Sequence, residues 1–185
     1  GYRVEAFAGG YVGEFYNNTY DFIAAAIVQV ESSVETAQIH FRLGPGGSIT
    51  GAVTDHATGL PIADAYVYAD SEPCCYGGGS ATTAANGSYT ITTLAPGSYR
   101  VSAEATGYAP EHFNNTYDYN AATLVGVTEG STAGAVHFAL DGLNTDGDAC
   151  TDPQETDTDP LFGGDRDPLD PWDFYDVDGT KSITL

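Results

Sequence analysis

Gly47-Ser-Ile-Thr-Gly-Ala-Val-Thr-Asp55, then Gly59-Leu-Pro-Ile-Ala-Asp-Ala-Tyr-Val67, then Asn86-Gly-Ser-Tyr89, then Leu94-Ala-Pro-Gly-Ser-Tyr-Arg-Val101, is the stretch that decides the fold. Apolar and polar residues alternate through it with a period of two, the spacing of half-buried strands. The turn Asp55-His-Ala-Thr-Gly59 ends a first strand over 48–54, and a second runs over 62–69. Asn86-Gly87 predicts a hairpin between strands at 80–84 and 88–93, since this dipeptide takes the positive φ of tight turns. Further strands over 98–105, 122–127 and 133–140 bring the expected count to seven. Helical periodicity is weak and Gly and Pro recur at short intervals, so the expectation is an all-β, two-sheet sandwich.

Working outward, the pattern repeats. Tyr2-Arg-Val4 recurs as Tyr99-Arg-Val101, Asn17-Asn-Thr-Tyr-Asp21 as Asn114-Asn-Thr-Tyr-Asp118, and His40-Phe41 as His137-Phe138. All three pairs share an offset of 97, and 20 of the 42 positions from Tyr2 to Leu43 are identical to their counterparts. Residues 46–142 therefore read as one complete repeat, residues 1–45 as the C-terminal half of a preceding one, and residues 143–185 as a tail.

The segments quoted above resemble the carboxypeptidase regulatory-like family, in order over 46–142 and again over 1–45 for the last strands. The resemblance implies seven-stranded transthyretin-like (prealbumin-like) sandwich repeats without catalysis, used as spacers, stability modules or polymer and adhesion units of secreted proteins. An odd number of alternating strands puts the two chain ends at opposite ends of the sandwich, so tandem copies stack into a rod.

The half-repeat carries an apolar face that includes Ile27, Val28, Val30, Ile39, Phe41 and Leu43, with no partner sheet of its own. Wet apolar area is unfavourable by about 25 cal/mol per Å². Upstream residues or a strand added by another subunit are expected to cover the face. Lys181-Ser-Ile-Thr-Leu185 imitates Gly47-Ser-Ile-Thr50, which makes the C-terminus a candidate donor strand for a filament.

Charge defines the tail. The chain has 26 acids against five Lys and Arg, a net charge of −21, and 13 of those acids lie between Asp141 and Asp178. Such acidity argues against nucleic acid and anionic membrane surfaces as partners, and no run of 18 apolar residues is present to insert into a bilayer. Cations are the natural counterpart. Calcium takes oxygens at alternate positions of a tight loop closed by a bidentate acid. Asn144, Asp146 and Asp148, the carbonyl of Cys150, Asp152 and Glu155 fall at positions 1, 3, 5, 7, 9 and 12 of such a loop, with Ala149 where Gly is preferred at 6. This resembles the Ca2+ loops of thrombospondin type 3 repeats. Asp176 and Asp178, with Thr180 and Ser182, resemble the opening of a dockerin-like loop. The expectation is an irregular tail that folds on Ca2+.

Three cysteines leave one over. A vicinal Cys74–Cys75 bond, a bridge to Cys150 and an intermolecular link all stay open. Asn17, Asn86 and Asn114 begin Asn-x-Ser/Thr sequons, which suits a glycosylated, extracellular or cell-surface protein. His40 and His137 alternate with apolar neighbours and face outward, and no hydrolase, metalloprotease or phosphate-loop motif occurs. The expected function is that of a structural or assembly module, non-enzymatic, with itself or other surface proteins and glycans as partners. The competing expectations are a carbohydrate-binding or adhesion module, using the loop aromatics Tyr108, Phe113, Tyr117 and Tyr119, and an accessory domain of a secreted enzyme.

Overall fold

The computed structural model describes residues 1–73 and 77–144, with Thr151 and Leu169. It is all-β apart from one short 3-10 turn, Tyr119–Ala121. The half-repeat contributes β1 (Glu5–Ala6) and β2 (Glu14–Phe15). The complete repeat contributes β3 (Gly47–Asp55), β4 (Tyr66–Glu72), β5 (Gly78–Thr82), β6 (Ser88–Leu94), β7 (Gly97–Glu104), β8 (Glu111–His112), β9 (Val125–Val127), β10 (Thr132–Ala133) and β11 (Phe138–Leu140).

Two sheets face each other. In one, β3 pairs antiparallel with β6 and, on its other edge, parallel with β10 and β11. In the other, the order is β5-β4-β7-β8, with β9 also on β7. Alternate residues of both sheets point inward, so Ile49, Val53, Val67, Ile91, Leu94, Tyr99, Val101, Phe138 and Leu140 form one dry core. Tyr99 and Tyr89 are buried there because each hydroxyl donates to a backbone carbonyl, of Ala95 and Val136 respectively. Gly51 lets β3 approach the segment before β11, because a Cβ there would lie 1.6 Å from the Val136 carbonyl oxygen.

The described complete repeat has nine strands where the sequence predicts seven. Ala135, at φ 62°, breaks the expected last strand into β10 and β11, and the loop after β7 adds the two-residue β8. The predicted hairpin is also absent. Asn86-Gly87 does turn the chain, with Gly87 N–H donating to Ala84, but β5 pairs with β4 and β6 with β3. The turn thus carries the chain from one sheet to the other.

β3 and β11 run parallel, with Leu140 opposite Asp55. The chain therefore comes in at one end of the sandwich, near Gly47, and leaves at the other, as the rod expectation requires.

The half-repeat copies the second half of the complete one. Glu5 and Ala6 pair with Phe15 and Glu14, and at the offset of 97 Ser102 and Ala103 pair with His112 and Glu111. Asn17 and Asn18 hold φ of 75° and 56°, and Asn114 and Asn115 hold 77° and 55°. Tyr16 N–H donates to Val4 as Phe113 N–H donates to Val101. The covering differs at some positions and not at others: Val28, expected on the uncovered face, is buried at 6%, as Val125 is at 7%. Tyr2 is 64% exposed where Tyr99 is 1%, and Val30 is 53% exposed where Val127 is 4%. Ile39, Phe41 and Leu43 are half-buried where Val136, Phe138 and Leu140 are fully buried.

Candidate functional site

The trailing end of the complete repeat gathers acids. Asp55, buried at the end of β3, accepts from the Thr58 backbone and hydroxyl through Oδ1 and from the Tyr108 hydroxyl through Oδ2 (3.0 Å). Asp141, just after β11, pairs with His56 Nδ1 at 2.6 Å and accepts from the Tyr117 hydroxyl. The Tyr117 and His56 bonds hold its carboxyl below the usual range, while the same contacts push His56 up and the Tyr117 phenol to about 12. Glu111, on β8, is 3% exposed and its Oε1 has no hydrogen-bond partner. Burial, and then the charge of Asp141, push Glu111 up to about 7, with His56 opposing. The half-repeat holds its counterpart, Glu14, on β2, likewise buried with Oε1 unpartnered.

Alternation within Gly-Glu-Phe and Pro-Glu-His reads as exposed polar strand positions, so pattern reasoning passes over both glutamates. The signal that marks them is their identity across the 97-residue register.

Of the predicted calcium ligands, Asn144 lies exposed just beyond this end. Asp146, Asp148, Cys150, Asp152, Glu155, Asp176 and Asp178 lie outside the described residues, as do Cys74 and Cys75. Among the described residues no three His, Cys, Asp or Glu side chains come together to hold a metal. Asn17, Asn86 and Asn114 are all exposed. Asn86 Oδ1 accepts from both the backbone and hydroxyl of Ser88, while Asn114 Nδ2 donates to Thr123.

The four loop aromatics do not make one platform. Phe113 and Tyr108 pack against the core, Phe113 with its ring 6.2 Å from Phe138. Tyr117 and Tyr119 stay outside, with the Arg100 guanidinium 5.0 Å over the Tyr119 ring. A different aromatic surface lies on the outer face of the β5-β4-β7-β8 sheet. Tyr66 and Tyr68 stack at 5.9 Å, and Ser80, Tyr68, Ser102 and His112 share one register row. His40 and His137 are exposed as expected. Ser102 Oγ lies 2.6 Å from His112 Nδ1, but Ser102 is 1% exposed, so this pair offers no accessible nucleophile.

The chain belongs to the carboxypeptidase regulatory-like domain family, which matches residues 48–141, just over half of its length. No curated protein matches it. Among solved structures it is similar to the Bacillus anthracis TIE protein, at 17% identity and a TM-score of 0.39, over 53% of this chain and 17% of that one. BcpA, the major pilin subunit of Bacillus cereus, shows 10% identity and 0.38, over 55% and 31%. Hydroxyquinol 1,2-dioxygenase from Pseudomonas putida shows 12% and 0.37, over 54% and 57%. The chain spans less than two thirds of each of these, and at such scores the likeness says nothing about its activity. No helix among the described residues is long and apolar enough to cross a membrane.

Proposed function

We propose that the protein is a non-enzymatic structural module of a secreted or cell-surface protein, part of a head-to-tail β-sandwich array that forms rods or filaments. The observation that carries this reading is the open half-repeat. Its backbone matches the second half of the complete repeat, yet Tyr2, Val30 and their neighbours lack the sheet that buries Tyr99 and Val127. Each such side chain gains about 1.5–3 kcal/mol on burial, so a complementary sheet of the β3–β6 type is strongly favoured. In a rod a neighbouring repeat supplies it, and in a filament another copy does, with 181–185 as the donor strand. Opposite chain ends on the sandwich support both. The tail, through Asn144, Asp146, Asp148, Cys150, Asp152 and Glu155, with Asp176 and Asp178, is the segment that Ca2+ folds and stiffens.

Electron microscopy with Ca2+ and then with chelator tests this. Ordered fibres or stacked rods that loosen on chelation are expected. Compact single particles under both conditions at every concentration contradict it.

A second reading, adhesion through glycans, is favoured by the stacked Tyr66–Tyr68 pair on an outer sheet face beside exposed Tyr119. Glycan-array binding that Y66A and Y119A both abolish selects this reading. Binding that neither variant affects removes it.

A further inference from the structure

Glu14 and Glu111 fill the same position of the repeat, and both bury a carboxylate whose Oε1 finds no donor. An ionised carboxylate in that setting is unfavourable unless something positive or proton-bearing meets it. For Glu14 the structure shows where that partner fits. Glu14 lines a cavity of ≈ 320 Å³ together with Asn18, Tyr20, Arg42, Leu43, Gly44 and Glu129. Glu129 belongs to the complete repeat, in the turn between β9 and β10, so the cavity lies on the junction between repeats.

The offset of 97 explains the second acid. Gly44 corresponds to Asp141, whose carboxylate accepts from Tyr117, and Tyr117 corresponds to Tyr20. In the half-repeat the position is glycine, and a Cβ there would lie 2.5 Å from Glu129 Oε1. Glu129 thus brings across the junction the carboxylate that Asp141 supplies from within its own repeat.

We propose that this junction cavity is a binding site for a hard divalent cation, of which Ca2+ is the natural case in an extracellular setting. The Glu14 and Glu129 carboxylates are the charged ligands, with the Asn18 amide oxygen and water completing the oxygen shell. Two carboxylates without a third acid give the weak affinity of extracellular modules, about 10⁻⁴–10⁻³ M. The ion joins the two repeats, since one carboxylate comes from each. Arg42 is the competing partner. It lines the same cavity, and among the described residues it forms no ion pair with either glutamate.

The site is independent of the tail, and the test separates the two. Calorimetric titration of the full chain with CaCl2 is compared with E129Q, E14Q and the tail variant D146N/D148N. One equivalent lost, or weakened at least about tenfold, in both E129Q and E14Q but retained in D146N/D148N is the expected result. Glu129 is exposed, so E129Q decides the matter even where E14Q fails to fold. Unchanged stoichiometry and affinity in E129Q overturns the proposal. R42Q is expected to tighten Ca2+ binding by removing a like charge. If R42Q instead leaves binding unchanged and lowers the melting temperature without calcium, Arg42 is the partner of the glutamates and the proposal fails.

Discussion

At the scale of the residue, the buried glutamates set the chemistry. Glu111 is the better-defined case, with its carboxyl raised from an ordinary value of 4.5 to about 7. A buried acid with a raised value costs the folded state nothing while protonated and destabilises it once ionised. Its contribution is therefore neutral below about pH 4.5 and becomes a penalty as pH climbs from there to about 7, beyond which it is constant. The full span is roughly 3–4 kcal/mol at about 1.36 kcal/mol per pH unit. Denaturant unfolding of wild type and E111Q across pH 4–8 should show the difference between them changing over that window and flat outside it. A difference that does not vary with pH contradicts the assignment. Neither glutamate was legible from the strand pattern, because alternation alone does not distinguish a buried acid from an exposed one. Gly51 makes a sharper prediction. With the Val136 carbonyl in the space of its Cβ, G51A should lose several kcal/mol in the same assay, well beyond the ordinary cost of a surface change.

At the scale of the element, the two repeats provide matched pairs. Leu140 is fully buried and Leu43 only half-buried at the same repeat position, as are Phe138 and Phe41. L140A should lose about 2–5 kcal/mol and F138A about 3–5, by transfer and cavity terms together. L43A and F41A should lose clearly less in the dilute chain. Equal losses at paired positions would show that the half-repeat is already closed. Period-two alternation located β3, β6 and β7 to within a residue or two because inward and outward faces there are sharply different. It failed where the deciding contact is distant. Asn86-Gly87 announces a turn but not which sheet receives the next strand, and here Val53 N–H bonds Gly87 while β6 joins β3. The break at Ala135 depends on a positive φ that alanine does not advertise, although Gln38 repeats it at φ 65°.

At the scale of the whole molecule, the register of 97 carried most of what was legible: a sandwich whose first and last strands, β3 and β11, run parallel, and a preceding β1–β2 pair that copies β7–β8. The junction chemistry was not legible, because Glu129 and Glu14, far apart in sequence, come to line one cavity only in the folded chain. The tail is a separate proposal resting on its alternating oxygens. If Ca2+ folds it, limited proteolysis should cut between 145 and 180 in chelator and much more slowly in millimolar Ca2+, with D146N/D148N cut alike in both.

The central claim is that residues 1–45 form an open half-sandwich completed by a sheet from elsewhere, and hydrogen exchange of the intact chain over a range of concentrations tests it most directly. The amides of Tyr2, Tyr16 and Val28 should exchange far faster than their counterparts Tyr99, Phe113 and Val125 when dilute, and gain protection as the protein is concentrated in Ca2+. Equal protection of both sets in the most dilute sample would contradict the account, and no gain at any concentration would remove the filament form of it.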